Sequence, residues 1–368
     1  MKKKIILTTL ITSMILILFT ITFIFIYENK ENYESAEEEH EFDQPEKFSE
    51  YFRKISTPFG SQSSGYKMNY RLEELNKARD RNHTLKSTRE IYPWVQRGPG
   101  NVGGRTRSIL VDPDDNTYNT WITGAVSGGI WKTTDGGLTW QDLSPDFPNL
   151  SISSLAMAGS NHNVIYAGTG EGYGGYGMVA GNGIFKSVNR GISWTQLTST
   201  LDNNDFIYVN VIIVDPTNEN IAIAGTNTGI FKTIDGGDTW NRVYEKTYEI
   251  QDLEADPRDF DVIYAAANGF GILKSTNAGD DWISSNNGIG DGYRYNLSIS
   301  PVNPDKIFTS VEAIVNIQGT FTRQTHVYVS NDKGANWAKF VSSRNFLGNQ
   351  GWFNNIIRAH PFDEPPVP

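Results

Sequence analysis

The stretch Thr133-Thr134-Asp135-Gly136-Gly137-Leu138-Thr139-Trp140 decides the fold, because its pattern recurs along the chain. Asp135 is placed to accept hydrogen bonds from the backbone N–H groups of a tight turn, and two glycines tolerate positive φ values there. Trp140 then brings a large apolar ring back under the turn. The octapeptide therefore predicts a tight turn between two short strands.

Four further copies of this octapeptide follow the first. Their third and eighth residues are Asn189 and Trp194, Asp235 and Trp240, Asn277 and Trp282, and Asp332 and Trp337. The five tryptophans lie 54, 46, 42 and 55 residues apart. Periods of about 40 to 50 residues are typical of architectures that array one small unit. We expect these aspartate, asparagine and tryptophan side chains to be structural, holding the turns together.

The shared pattern Ser/Thr-x-Asp/Asn-x-Gly-x-Ser/Thr-Trp resembles the Asp-box (BNR) repeat of sialidase-like and sortilin-like β-propellers. Each repeat also contains four short strand-like segments. We therefore predict an all-β fold, an Asp-box β-propeller built from four-stranded antiparallel blades. Five blades are complete, and residues 355–361 look like the first strand of a sixth. A repeat protein buries its core only against neighbouring repeats, so we expect this chain to be part of a larger ring.

The opening of the predicted propeller carries a second resemblance. The segment from Trp94 to Arg107, Trp-Val-Gln-Arg-Gly-Pro-Gly-Asn-Val-Gly-Gly-Arg-Thr-Arg, is similar to the opening of a group of secreted bacterial Asp-box propellers. That group is often described as sortilin-like or labelled "glycosyl hydrolase". The resemblance covers about residues 45–361, and it implies the fold rather than an activity.

The N-terminus predicts export. Lys2, Lys3 and Lys4 precede an uncharged apolar run of 23 residues, Ile5 to Tyr27, which is long enough to cross a bilayer as a helix. We expect residues 1–27 to form a signal-anchor, with a cleaved signal peptide as the alternative. The three lysines orient the remainder of the chain away from the cytoplasm. The predicted localisation is therefore extracytoplasmic, either membrane-anchored through this helix or secreted.

The rest of the chain divides by composition. We expect residues 28–65 to form an acidic, disordered linker, residues 66–90 a helical segment, and residues 91–368 the incomplete propeller. Ten acidic residues against two lysines between residues 28 and 50 account for most of the net charge of −10. The sequence has no stripe of basic residues, so we predict no nucleic-acid partner. The absence of cysteine excludes disulfides and thiolate metal sites, and we predict no metal and no cofactor.

The candidate ligand site lies where the first strand of each blade begins, which we call the top face. Aligning the blades places polar or ring-bearing residues at that point: Arg107, Ser153, Asn210, Gln251, Tyr295 and Asn355. They are either solvated strand ends or a ring of hydrogen-bonding groups around a central funnel. The predicted ligand contacts are Arg105, Arg107, Asn210, Gln251, Tyr295, Asn355, Tyr173 and Tyr176. Arginines, amides and aromatic rings suit a glycan or a peptide.

Two loops are also predicted to reach the top face. Blade two carries the glycine-rich stretch from Gly170 to Gly177, and blade five carries a long loop from about Glu312 to Gln324. Long loops in a compact repeat are frequent places for function. The glycine-rich stretch is not followed by Gly-Lys-Ser/Thr, which argues against a phosphate-binding loop.

The residues favour binding over catalysis. Glycoside hydrolysis requires two carboxyl groups, and Glu171 and Asp252 are the candidates. In xyloglucanase-like hydrolases the first catalytic aspartate stands just before a Gly-Gly pair of the first blade, where this chain has Val126. The Arg-Ile-Pro motif of sialidases is missing. We predict a non-catalytic, envelope-exposed module that binds a glycan or a peptide, or scaffolds other envelope proteins. The alternative is a sialidase-like or xyloglucanase-like glycoside hydrolase whose site is completed by further blades.

Overall fold

A computed structural model describes residues 105–144, 147, 151–173, 179–317, 320–340, 345–348 and 350–361, with single residues and short runs between 54 and 81. The chain divides into two units, Met1–Tyr66 and Lys67–Pro368. None of the described helices is long and apolar enough to span a membrane. The predicted span from Ile5 to Tyr27 lies outside the described residues. Within the predicted segment 66–90, the described residues Glu74, Lys77, Ala78 and Arg81 are helical.

The second unit contains five four-stranded sheets. The first sheet contains β1 (Thr106–Val111), β2 (Trp121–Ala125), β3 (Gly129–Thr133) and β4 (Gln141–Asp142). The second contains β5 (Ile152–Met157), β6 (Ile165–Thr169), β7 (Ile184–Ser187) and β8 (Thr195–Gln196). The third contains β9 (Val209–Asp215), β10 (Asn218–Thr226), β11 (Ile230–Thr233) and β12 (Asn241–Arg242).

The last two sheets repeat this plan. The fourth contains β13 (Ile250–Asp256), β14 (Asp259–Ala267), β15 (Gly271–Ser275) and β16 (Ile283–Ser284). The fifth contains β17 (Arg294–Ile299), β18 (Ile307–Ile317), β19 (Thr320–Ser330) and β20 (Ala338–Phe340). Two 3₁₀ turns, Thr198–Thr200 and Asn204–Phe206, and one short helix, α1 (Gly351–Asn354), complete the described elements.

Strand order follows chain order in every sheet, and all neighbouring strands are antiparallel. The prediction of an all-β propeller with four-stranded antiparallel blades is confirmed. In the first sheet, Thr106 pairs with Ala125, which pairs with Gly129 at one end. Val111, Trp121 and Thr133 align at the other end. The first strands therefore begin opposite the repeated turns, so the top face and the turn face are opposite ends of each blade.

The blades meet through their first strands and through apolar residues between the sheets. β5 contacts both β1 and β9, and β13 contacts both β9 and β17. Between the second and third sheets, Tyr166, Phe206 and Phe231 are buried with the small residues Ala222 and Ala224. Burying such rings stabilises the fold by roughly 25 cal/mol per Å² of apolar surface. The hydroxyl of Tyr166 donates to the carbonyl of Glu219 at 2.9 Å, so its polar end is also satisfied.

The five repeated turns share one hydrogen-bonding plan. In the first, Asp135 Oδ1 accepts from the N–H of Thr139 at 2.9 Å and from the hydroxyl of Thr133 at 2.7 Å. The same backbone bond recurs from Ser193 to Asn189, from Thr239 to Asp235, from Asp281 to Asn277 and from Asn336 to Asp332. Hydrogen bonds from the side chains of Thr139, Thr239 and Asn336 lower the pKa of Asp135, Asp235 and Asp332 to about 2. These carboxylates are fully engaged within their own turns.

The tryptophans that close these turns differ in depth. Trp282 and Trp337 are buried in the core. Trp194 and Trp240 pack edge-on against Phe147 and Phe206, with ring centroids 5.9 Å apart in both pairs. Trp140 is 40% exposed, and its ring centroid lies 6.5 Å from that of Trp121.

Two local predictions differ from the structure. The predicted loop from Glu312 to Gln324 is wrong, because β18 and β19 pair from Ile307 and Ser330 as far as Ile317 and Thr320. The β-branched residues Ile314 and Val315 continue the strand beyond Glu312. Residues 355–361 belong to no described sheet. They follow α1 and lie along β17, where the N–H groups of Ile357 and Ala359 each donate to a β17 side chain at 2.8 Å.

Candidate functional site

The centre of the top face is organised by Glu171, which follows β6. Gly170 has φ +88°, and a Cβ atom there would lie 2.0 Å from the carbonyl oxygen of Ile207, so only glycine fits. The backbone of Glu171 then pairs in both directions with Val179, at 2.9 and 3.2 Å. This turn holds the side chain of Glu171 inward, where it is 2% exposed.

Two arginines from blade one neutralise Glu171. Arg105 Nη2 lies 2.7 Å from Glu171 Oε2, and Arg107 Nε lies 3.0 Å from Oε1. The second contact is at ion-pair distance without good hydrogen-bond alignment. Arg105 remains half exposed, whereas the side chain of Arg107 is 21% exposed. The three residues tie blade one to blade two at the top face.

Arg107 also belongs to a layered group that we call the arginine stack, consisting of Phe353, Arg107, Tyr173 and Arg294. The guanidinium carbon of Arg107 lies 4.9 Å from the ring centroid of Phe353 and 4.2 Å from that of Tyr173. The guanidinium of Arg294 lies 3.9 Å from the same Tyr173 ring. Tyr173 therefore carries two cation–π contacts, each worth about 0.5–2 kcal/mol.

Tyr173 is held in place by its own backbone. Its φ is +58°, in the left-handed region that non-glycine residues seldom adopt. Its N–H donates to Glu249 Oε1 at 2.9 Å, and Glu249 Oε2 also accepts from Asn268 Nδ2 at 2.6 Å. Blade four therefore positions a residue that blade two supplies.

Arg294 is the most deeply placed cation of the stack, with 4% exposure. It stands opposite Glu312 in the register of β17 and β18. Glu312 Oε1 instead pairs with Arg323 Nη1 at 2.6 Å. Within the described residues, Nε and Nη1 of Arg294, Nη2 of Arg107 and Oε2 of Glu312 are buried with no hydrogen-bond partner. Buried polar atoms without hydrogen bonds are energetically costly, so the stack is a place of uncompensated burial.

The polar row at the starts of the first strands joins neighbouring blades. Three side chains donate to backbone carbonyls: Ser153 to Val209 at 2.5 Å, Asn210 to Ile250 at 2.9 Å, and Asn355 to Arg294 at 3.1 Å. The side-chain oxygen of Gln251 accepts from the N–H of Tyr295 at 2.9 Å. Each hydrogen bond links the first strand of one blade, or the segment after α1, to the backbone of the neighbouring first strand. The ring of Tyr295 is 2% exposed and lies in the core, and burial raises its pKa to about 12. A ligand role for this row stays a prediction.

Asp252 lies deeper, between β13 and β17. Its Oδ2 accepts from the N–H of Leu297 at 2.9 Å and from Asn296 Nδ2 at 2.5 Å. Burial raises its pKa. Two residues on, Glu254 pairs with Arg358 at 3.0 Å, yet burial and the nearby Asp252 raise the pKa of Glu254 to about 8. Asp252 thus accepts a hydrogen bond from the backbone of the adjacent strand β17.

The structure brings together part of the predicted site. Arg105, Arg107, Glu171 and Tyr173 form one cluster, and Asn210, Gln251, Tyr295 and Asn355 lie in the joints between blades. Tyr176 lies outside the described residues. The sequence did not single out Glu249, Glu312 or Arg323 as partners. The predicted loop hid the register that pairs Glu312 with Arg323, and Glu249 contacts Tyr173 from a different blade. Among the residues that the structure describes, no group of His, Cys, Asp and Glu is arranged to hold a metal ion.

Comparison with known proteins shows a likeness of fold. No family model matches the chain. The xyloglucanase Xgh74A of Acetivibrio thermocellus is 24% identical over an alignment of 173 residues, and the match covers 37% of this chain and 19% of that protein. A xyloglucanase of Paenibacillus sp. is 25% identical over an alignment of 173 residues, and the match covers 36% of this chain and 15% of that protein. The crystal structure of an ancestral GH74 enzyme matches with a TM-score of 0.55 at 21% identity, covering 71% of this chain and 34% of that chain.

The matches cover only a small part of each relative. The chain spans less than a fifth of either xyloglucanase and about a third of the ancestral GH74 enzyme. At these identities the likeness supports a propeller built from the same kind of blades.

Proposed function

We propose that this chain is a non-catalytic β-propeller module that binds a glycan at its top face. The observation that carries the proposal is the arginine stack beside Glu171. Aromatic faces and guanidinium groups from three blades and the segment after β20 converge there. Tyr173 is buried under two guanidinium groups, so the partly exposed ring of Phe353 and the guanidinium of Arg105 are the groups that a sugar would contact, through ring stacking and directed hydrogen bonds. The five repeated turns, which we identify as Asp-box repeats, lie on the opposite face and hold the blades.

The state of the two candidate carboxylates argues against hydrolysis. A glycosidase needs one carboxyl group to donate a proton and a second to act as base or nucleophile. Glu171 is held between two arginines, and Asp252 is bound to backbone and amide groups between strands. Val126, at the position where the resembling hydrolases carry an aspartate, is 2% exposed and apolar. Neither carboxylate is disposed to act on a glycosidic bond.

A glycan is preferred over a peptide as the ligand. The partial similarity to xyloglucanases points to polysaccharide as the chemistry that such blades accommodate. A peptide ligand, or a scaffold role among envelope proteins, is the other form of the same binding function. We further propose that the module is exported and anchored through residues 1–27, with residues 28–65 as a spacer, residues 66–90 as a helical segment and residues 91–368 as the propeller domain.

Binding to a glycan array tests this proposal. Arg105→Ala and Phe353→Ala remove the two partly exposed contacts of the cluster, and each is expected to weaken binding by about tenfold. Tyr118→Ala is the matched control, because Tyr118 is an exposed ring, 70% accessible, on the turn face. Unchanged binding in both top-face variants, or loss of binding in the control, would contradict a top-face glycan site.

The partial similarity to xyloglucanases also favours a second candidate, a glycoside hydrolase completed by further blades. It predicts reducing sugar released from xyloglucan by the full-length protein. Glu171→Gln or Asp252→Asn should then abolish turnover in protein that circular dichroism shows to be folded. Release of sugar that both variants retain would exclude these two residues as the catalytic pair.

A further inference from the structure

The arginine stack contains donors that its own partners leave unused. Tyr173 contacts two guanidinium groups, with distances of 4.2 and 3.9 Å from its ring centroid to the guanidinium carbons of Arg107 and Arg294. A cation–π contact uses the face of a guanidinium, whereas its N–H bonds lie in the plane of the group. Stacking on Tyr173 therefore leaves the N–H bonds of Arg107 and Arg294 directed past the edge of the ring.

These N–H bonds have little else to bind. Nε and Nη1 of Arg294 and Nη2 of Arg107 are buried and make no hydrogen bond to any described residue. Arg294 itself is 96% buried, since its exposed fraction is 4%. Leaving a buried donor unsatisfied costs about 1–3 kcal/mol, and more for a charged group.

Another stacked arginine shows what a completed arrangement looks like. Arg242 lies 4.6 Å from the ring centroid of Phe231. Its Nη1 donates to the carbonyl of Thr228 at 2.5 Å and its Nη2 to Asp205 at 2.9 Å. Both ends of that guanidinium are used by the protein, unlike those of Arg294.

We propose that Arg107 and Arg294 bind the carboxylate of an acidic sugar at the edge of the Tyr173 ring. This inference rests on the proposed glycan-binding function and narrows its ligand to uronate-containing glycans. A carboxylate supplies two oxygens, one for each guanidinium, and guanidinium–carboxylate bonds are among the strongest hydrogen bonds in proteins. Glu171 pairs with Arg105 and Arg107, Oε1 of Glu312 pairs with Arg323, and Glu249 accepts from Tyr173 and Asn268, which reduces the repulsion of an acidic ligand. Oε2 of Glu312 is the buried carboxylate oxygen that has no hydrogen-bond partner among the described residues and is not a pair partner of an arginine.

The test compares a galacturonate oligosaccharide with its methyl ester, which keeps the shape of the sugar and removes the charge. Binding to the full-length protein is measured by isothermal titration calorimetry. The acid form should bind and the methyl ester should bind about 10- to 100-fold more weakly. Arg294→Gln and Arg107→Gln should each reduce binding of the acid form by a similar factor. Arg242→Gln, the stacked arginine with satisfied donors, should leave it unchanged.

The outcomes separate this inference from the proposed function. Equal binding of acid and ester, or binding of a neutral xyloglucan oligosaccharide alone, overturns the carboxylate site and leaves the glycan module standing. Binding of an acidic peptide with no glycan binding overturns both. Because the ester comparison uses the unaltered protein, it decides the question even where Arg294→Gln fails to fold, a failure that circular dichroism would detect.

Discussion

The turn face and the top face of this propeller use polar side chains at very different distances along the chain. In the first repeated turn, Asp135 is bound by Thr133 and Thr139, two and four residues away. On the top face, Glu171 is bound by Arg105 and Arg107, more than 60 residues earlier. Local bonds give every blade the same self-contained turn. Distant bonds give the top face a single composite cluster, and that cluster retains unsatisfied donors.

The largest expected effect comes from the glycine that shapes the top face. Gly170→Ala places a Cβ atom 2.0 Å from the carbonyl oxygen of Ile207, at a φ of +88°. We expect the free energy of unfolding to fall by about 3–5 kcal/mol, because both backbone and neighbour must move. Urea denaturation measures this change in the free energy of unfolding. The matched control is Gly269→Ala, with φ +67° and no atom within 4 Å of the added Cβ, which should cost about 1 kcal/mol.

A smaller effect is expected when the top-face ion pairs are broken. Glu171→Gln leaves Arg107 partly buried without its anion, and we expect a loss of about 2–3 kcal/mol in unfolding free energy. Asp305→Asn breaks the pairs of Asp305 with Arg258 and Lys333, and all three side chains are 45–49% exposed. Such exposed pairs should contribute less than about 1 kcal/mol. Equal losses in the two variants would contradict the distinction between the central cluster and the surface pairs.

A pH effect is expected from the joint beside the top face. The pKa of Glu254 is raised to about 8 by burial and by Asp252, above its ordinary value of 4.5. The folded protein therefore holds this proton more tightly than the unfolded chain. The stabilising contribution is complete below about pH 4.5 and is lost as the pH rises through about 8. Thermal unfolding at several pH values should show this loss, Glu254→Gln should remove it, and the exposed Glu245→Gln should not.

The smallest effect is expected on the turn face, where the titration has the opposite sign. The Thr239 hydroxyl and backbone lower the pKa of Asp235 from 3.8 to about 2. Its contribution is complete above about pH 4 and is lost as the pH falls through about 2. Asp235→Asn should remove part of the acid sensitivity while keeping the turn, since Asn189 and Asn277 make the same backbone bond in their own turns. Acid unfolding that is unchanged in this variant would argue against a contribution from the turn.

The accuracy of the sequence predictions follows the same division. The five octapeptides indicated blades of the correct kind, because each turn is built from residues within eight positions. The predicted loop from Glu312 to Gln324 was wrong because strand pairing with β19, rather than local propensity, extends β18 to Ile317. Arg107, Glu171 and Tyr173 were named as candidates on the same face, but the contact of Arg107 and Arg294 with the ring of Tyr173 depends on packing between blades and could not be predicted from local patterns.

The sequence by itself determined the repeat, its strand order and the face on which the first strands begin. Periodic turns and alternating apolar strands are local patterns, and the same local solution is repeated in each blade. Only the tertiary structure decided which top-face side chains are used between blades and which retain unused donors. Asn210 and Gln251 bond to the backbone of adjacent first strands, whereas Arg107 and Arg294 both contact the ring of Tyr173. That choice depends on how blades pack around one another, because residues distant in the chain compete there for the same partners.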